Sequence, residues 1–308
     1  MDFNEFKAGS YHQQYQYKSF SPANINHSWT WDDQEIDQLL MEADKKLDEL
    51  NKLVQHKSEI DEYVKEQLVK EALASCRIEG AKIDYGDLFV RENEISPEKR
   101  NDLIEVRNYI EALNVSIKEM KKLPLSSRVL NIAHEILLDT EQGVKKTPGE
   151  FRKSQNWVGG KTLKEAIYVP PAHEELGELF RDLEYFIHND EIKIPNLIKL
   201  AIVHYQFFSL HPYLDGNGKV NRILVMLFLH EFKMLAKPVV LLSEVLEKSK
   251  TEYLVKLNAV RERNGLAVWI KFFLKAISKA IVTASERMDK FSGLNDKNET
   301  LILLTAKD

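Results

Sequence analysis

At 308 residues the chain can bury a sizeable core, and 44% hydrophobic with 30% charged residues is a globular balance, too apolar for disorder. Lys plus Arg number 43 against 48 Asp plus Glu, a formal charge of -5, so no basic excess exists to neutralise a nucleic-acid backbone. The single cysteine, Cys76, excludes an internal disulfide framework and a thiolate metal cluster; Met1 to Tyr11 lacks the apolar stretch of a secretory signal and no apolar run is long enough for a bilayer, so a cytoplasmic location is expected.

Met1 to Ser28 shows no periodicity and is rich in Gln, Tyr and Asn, which predicts an extended arm over residues 1–30. Ile36, Leu40, Ala43, Leu47, Leu50 and Val54 lie three or four apart and predict an amphipathic helix, with Thr30 and Asp33 as a capping pair. A second helix is expected from Ser58 past Leu73, stopping at Gly80 in a left-handed conformation, so that residues 31–100 form an N-terminal helical region.

A core over residues 101–290 follows, with helical patterns near Asn101 to Lys118, Ser126 to Leu138, Glu174 to Ile187, Pro195 to Phe208, Asn217 to Phe232, Lys250 to Arg263 and Ala267 to Met288. Ser154 to Pro171 breaks the pattern: a glycine pair follows Trp157 and Val158, and a β-prone Ile167-Tyr168-Val169 is closed by two prolines. A short hairpin on a helical body is expected there. The tail over 291–308 ends in the apolar run Leu301 to Leu304 and predicts a packed terminal strand or helix, or the start of a further unit. The fold class is all-α with one short β-hairpin.

Chemistry concentrates in His211-Pro212-Tyr213-Leu214-Asp215-Gly216-Asn217-Gly218-Lys219-Val220-Asn221-Arg222, a loop that runs into a helix. A helix N-terminus offers unpaired N–H groups and a positive dipole end, and Gly216 and Gly218 let a phosphate approach the backbone. Lys219 and Arg222 lie three apart at that end, where cations oppose the dipole by about 0.3 to 1 kcal/mol each. Either alone reads as a solvated charge; together with the glycines they call for an anion. Asp215 carries the hard oxygen that Mg²⁺ shares with phosphates, and could equally be a helix cap. His211 can take a proton near neutral pH, as a hydroxyl attacking phosphorus requires.

These residues resemble the signature of the Fic family, His-x-Phe-x-Asp/Glu-Gly-Asn-Gly-Arg-x-x-Arg, through His211, Asp215, Gly216, Asn217, Gly218 and Arg222. Tyr213 stands where Phe is usual, and Lys219 replaces the first Arg, keeping charge but losing the bidentate fork. Pro148-Gly149-Glu150-Phe151-Arg152 followed by Asn156 to Gly160 is similar to the approach to the Fic flap. In the family this hairpin holds a target segment by β-augmentation, which here would use Val158, Gly159, Gly160 and Ile167. Ser75-Cys76-Arg77-Ile78-Glu79-Gly80 resembles the Fic inhibitory motif, and its place ahead of the signature is similar to that in class II members. Ser75 and Glu79 are four apart and share a helix face.

The resemblance implies a Fic-type helical bundle with a flap and an N-terminal helical extension, acting as a protein adenylyltransferase. AMP would pass from ATP, with Mg²⁺ at Asp215, to a Tyr, Ser or Thr hydroxyl of a target protein. His211 would be the base; Gly216, Asn217, Gly218, Lys219 and Arg222 would hold the phosphates; Tyr253 and Leu254 would flank the adenine; and Glu79 would pair with Arg222 and block the γ-phosphate. Cys76, without an activating partner, reads as packing. Rivals are removal of AMP at the same site, transfer of another phosphate-linked group, a binding module with a weakened site, and a DNA-binding regulator. Self-modification and a homodimer stay open.

Overall fold

The computed structural model describes residues 1–56, 60–90 and 94–291. Ten α-helices dominate these residues, with one two-stranded antiparallel sheet near the N-terminus. The expected helix start at Ser58 and the apolar tail run Leu301 to Leu304 lie outside the described residues.

The sheet is formed by β1, Gly9–Gln13, and β2, Lys18–Pro22. The expected extended arm is therefore a folded hairpin, with Phe20 in β2 and Phe3 and Phe6 ahead of β1 all buried. Its apolar residues are too few for strand alternation to show, which is why it reads as irregular.

Helix α1, Gln34–His56, buries Ile36, Ala43, Leu47, Leu50 and Val54 on one stripe. Asp33 alone caps it, its Oδ1 accepting the Glu35 and Ile36 N–H groups at 3.1 and 3.3 Å, a contact worth about 1 kcal/mol. Thr30, the other half of the expected capping pair, instead pairs its backbone with Met1 and Phe3. The stripe of α1 lies against α10, Leu266–Lys290, where Lys271 bridges Asp33 and Glu35 at 2.7 and 2.9 Å.

Helix α2, Ile60–Ile78, packs against α3, Pro97–Glu119. Helices α4, Ser127–Leu137, and α5, Leu176–His188, each bury one apolar face. At the centre run α6, Asn196–Leu210, and α7, Asn217–Glu231, buried along almost their whole length, with the polar residues of α7 gathered in its first turns. The body is completed by α8, Leu242–Lys248, and α9, Lys250–Arg263. Seven-residue α8 was not expected, because its apolar run from Val239 has no readable period.

Between Gly149 and Leu176 the chain makes a flap rather than a ladder. A single antiparallel bridge joins Val158 to Tyr168, with a 3-10 turn at Leu163–Glu165 between them. Among the described residues no helix is long and apolar enough to cross a membrane.

Candidate active site

Helices α6 and α7 are joined by the loop 211–216, so its shape follows from how two buried helices end and begin. His211 caps α6 in the left-handed region, at φ 46°, a conformation that costs a non-glycine residue about 1 to 3 kcal/mol and needs outside support. Arg152 supplies it. Its Nε donates to the His211 carbonyl at 3.0 Å, and its backbone N–H donates to Pro212 O at 2.9 Å. The same guanidinium donates to Ser154 O and Pro171 O, so one buried side chain ties both roots of the flap to the histidine.

Burial pushes the His211 ring down to about 4, with the Arg152 charge adding to the fall, so the imidazole is neutral at pH 7. The sequence expectation of a ring titrating near neutrality is thus shifted: in the resting site it is a ready but weak base. His211 Nδ1 is buried and makes no hydrogen bond.

Beyond the histidine, Tyr213 is buried and its hydroxyl donates to Asn131 Oδ1 at 2.8 Å. Its ring stacks on His134 at 3.8 Å and so anchors the loop. His134 Nδ1 accepts the Gly149 N–H, which leaves Nε2 to donate to Asp215 O at 3.2 Å. Asp215 itself is exposed, one carboxylate oxygen accepting the Gly216 N–H at 2.7 Å.

Gly216 begins α7 with φ 71°, where a side chain would be strained. Gly218 is required for a different reason: a Cβ there would lie 2.1 Å from Glu79 Oε1. The first turn of α7 therefore already faces an anion, the chain's own carboxylate. Glu79 Oε1 accepts from Arg222 Nη2 at 2.7 Å, while Arg222 Nε and Nη2 donate to Ser75 Oγ and O at 2.7 and 3.0 Å. Burial alone would raise the Glu79 pKa, but the Arg222 charge and hydrogen bond, with Lys219 and Lys250 nearby, outweigh it and hold the carboxyl below 4.5. The Glu79 side chain keeps 43% of its surface exposed whereas Arg222 keeps 1%, so water can reach one side of the pair.

Glu79 follows the last residue of α2, and Gly80 beyond it takes a positive φ of 110°, the left-handed side of backbone space expected of a glycine stop. That helix end is pinned from two sides: Lys250 Nζ donates to Ile78 O at 2.6 Å, and Arg77 makes a bidentate pair with Glu247. Cys76 is buried and its thiol is pushed up to about 12 by burial, as suits packing.

Three expected ligand-binding residues are otherwise engaged. The Asn217 side chain accepts the Tyr213 N–H and donates to Tyr213 O, which fixes the loop. Lys219 Nζ pairs with Glu105 Oε2 at 2.6 Å. Tyr253 is buried with its hydroxyl 2.9 Å from His204 Nε2, whereas Leu254 is 37% exposed. Val158 is half-buried, and Gly159, Gly160 and Ile167 are exposed on the flap.

Sequence reasoning assigned no role to Arg152, although it lies in the stretch similar to the flap approach. It also passed over Glu71, fully buried on α2, whose carboxylate accepts the Ser243 N–H at 3.0 Å and the Ser243 hydroxyl. Burial pushes Glu71 up to about 7 against those hydrogen bonds. Glu71 and Ser75 lie four apart on one face of α2, and Glu79 follows at the same spacing just past the helix end. No group of three or more His, Cys, Asp or Glu able to hold a metal occurs among the described residues.

Residues 124–229 match the model of the Fic/DOC family, and residues 38–118 match that of the Fic/DOC family N-terminal region. Curated relatives include the protein adenylyltransferase Fic of Drosophila grimshawi, 25% identical over 195 residues, which is 60% of this chain and 38% of that protein. The like-named protein of Drosophila yakuba is 30% identical over 117 residues, 38% of this chain and 20% of that protein. The chain thus spans well under half the length of these relatives. Among solved structures, a Fic family protein from Desulfovibrio desulfuricans G20 superposes with TM-score 0.67 at 18% identity, over 89% of this chain and 84% of that one. A Fic domain containing signaling protein from Bacteroides thetaiotaomicron VPI-5482 gives 0.63 at 17% identity, over 84% and 98%. At such identities the likeness is one of fold.

Proposed function

The chain belongs to the Fic/DOC family, and on that premise we propose that its 211–222 loop transfers AMP from ATP to a hydroxyl of another protein, restrained by Glu79. The observation that carries the proposal is Glu79 itself. A carboxylate held by Arg222 against Gly218 marks the place at the α7 N-terminus where a phosphate oxygen would be stabilised by the same groups.

In the transfer, neutral His211 removes the proton from a target Tyr, Ser or Thr hydroxyl. The freed oxygen attacks the α-phosphorus, the bond to the bridging oxygen breaks, and pyrophosphate leaves. The Gly218 N–H and the α7 dipole hold the phosphates in line, so the protein supplies position and charge rather than a covalent intermediate. Arg222 takes the outer phosphate once Glu79 withdraws, still held in place by Ser75. Lys219 contributes less than expected because Glu105 already partners it. Asn217 acts through the loop it shapes.

Asp215 is an exposed carboxylate just ahead of the α7 N-terminus, the kind of donor that Mg²⁺ shares with a triphosphate, and the ion would offset phosphate charge there. Leu254 offers exposed apolar surface for the adenine, with Tyr253 buried behind it. The flap at Val158 to Ile167 would lay an extended target segment beside His211.

The partly exposed Glu79 carboxylate also gives the reverse reaction a physical basis, since it could hold a water against bound AMP. ATP labelled at the α-phosphate, incubated with host lysate, tests forward transfer: label must appear on protein with the Glu79→Gly form and vanish with His211→Ala. Release of AMP from pre-modified protein by the parent alone would favour the reverse direction.

A further inference from the structure

The flap has too little pairing to hold its own shape. Val158 N–H donates to Tyr168 O at 2.8 Å, and the Ile167 and Tyr168 N–H groups share Val158 O at 3.0 and 3.1 Å. A lone two-stranded hairpin is marginal in water even with a full ladder.

The missing support comes from the far end of the sequence. Phe20 N–H donates to Val169 O at 2.9 Å. Phe20 sits opposite Tyr11 in the β1–β2 register, and in antiparallel pairing such a residue turns its backbone groups either toward its partner strand or away from it. Phe20 turns them away, so the outer edge of β2 faces the flap. Its ring, 1% exposed, packs 6.3 Å from Tyr168. Tyr168 in turn lies 3.7 Å under the Arg261 guanidinium and donates its hydroxyl to Ser209 O, two residues before His211.

The hairpin is itself fixed to the helical body. Ser21 Oγ donates to Glu175 Oε2 at 2.5 Å, Ile25 N–H to Asp182 Oδ2 at 2.7 Å, and Gln206 Nε2 to Ala23 O at 3.0 Å. A rigid path therefore runs from α5 and α6 through β2 to the returning strand of the flap.

We infer that the N-terminal hairpin is a built part of the target-docking surface, a brace that sets the flap edge for an extended polypeptide, with Phe20 as its positioning residue. The β2 edge covers the flap on the Val169 side and so leaves the Val158 side for the incoming segment. Phe20 touches no reacting atom; it acts through Tyr168 and Val169.

Hydrogen exchange on the full chain tests the brace without any knowledge of the target. In Phe20→Ala the amides of Val158, Ile167 and Tyr168 should exchange at least 10-fold faster while those of α6 and α7 keep the parent rates, and Phe20→Leu should restore most of the protection. Unchanged flap amides would overturn the inference, as would acceleration equal to that of α6 and α7, which would make Phe20 a fold residue only. Should Phe20→Ala not fold, Tyr11→Ala trims a half-exposed ring lying 5.0 Å from Phe20 and should give a smaller rise confined to the same amides. The activity arm rests on the function proposed above: in the Glu79→Gly background, Phe20→Ala should cut protein labelling about 10-fold and leave ATP affinity unchanged. Labelling kept at the Glu79→Gly level would overturn the inference. If exchange responds as expected but no variant labels protein, the transfer reading fails and the brace stands.

Discussion

Glu79 Oε1 meets Arg222 Nη2 at 2.7 Å across 143 residues of chain, and the same carboxylate lies where a Cβ on Gly218 would have to sit. An acidic side chain thus occupies the positive end of α7, and the remaining bonds from Arg222 to Ser75 keep the guanidinium in place with or without it.

Gly218 is expected to tolerate no side chain. Gly218→Ala should displace the Glu79 carboxylate and crowd any phosphate at the same point, so it should not activate the protein. Calorimetry with ATP and Mg²⁺ in the Glu79→Gly background should show affinity falling by about 10-fold or more, equivalent to about 1.4 kcal/mol. Equal affinity would place the phosphates elsewhere.

Removing Arg152 should damage both stability and transfer. Arg152→Ala leaves the carbonyls of His211, Ser154 and Pro171 without this buried donor, for a cost of about 3 kcal/mol in denaturant unfolding. Arg152→Lys should recover little, since an ammonium cannot reproduce the fork. Full stability in Arg152→Lys would show that charge alone suffices.

Transfer should retain activity far into acid. The free-enzyme His211 lies near 4, below the ordinary imidazole value, so the acid limb of kcat/KM in Glu79→Gly should fall below pH 5 rather than near 6.5. A limb at 6.5 would mean a solvated ring or another base.

Glu71 makes stability depend on pH in a defined sense. Its folded pKa of about 7 exceeds the ordinary 4.5, so its contribution is fully present below 4.5 and is lost as pH rises through 7, by about 3 kcal/mol at most. His134, His204 and His211, all lowered, act oppositely between their folded values and 6.5, where stability returns as pH rises. The diagnostic is therefore the difference: Glu71→Gln should gain on the parent between pH 5 and 8, and a constant gap in melting temperature would contradict the assignment.

Much of this was legible in the residues. The stripes of α1, α4 and α5 follow from helical spacing, and the 211–222 loop stands out because glycines, cations and a histidine share one helix entry. Pairings set by tertiary distance were not legible: Lys219 finds Glu105 across 114 residues, and Phe20 finds Val169 through a hairpin with almost no apolar alternation. Nor was the fate of Asn217, whose side chain closes on Tyr213 four residues back. Glu71 looked like any charge on a polar helix until burial on all sides distinguished it.

AMP transfer through His211 under restraint by Glu79 is read out by mass spectrometry of a host lysate incubated with ATP and the Glu79→Gly form, set against the parent and the Glu79→Gly, His211→Ala double variant. AMP should appear on protein hydroxyls at least about 10-fold above the parent, the effect of losing a contact worth about 1.4 kcal/mol, and not at all with the double variant. Equal modification by parent and Glu79→Gly, or modification that survives loss of His211, would contradict it.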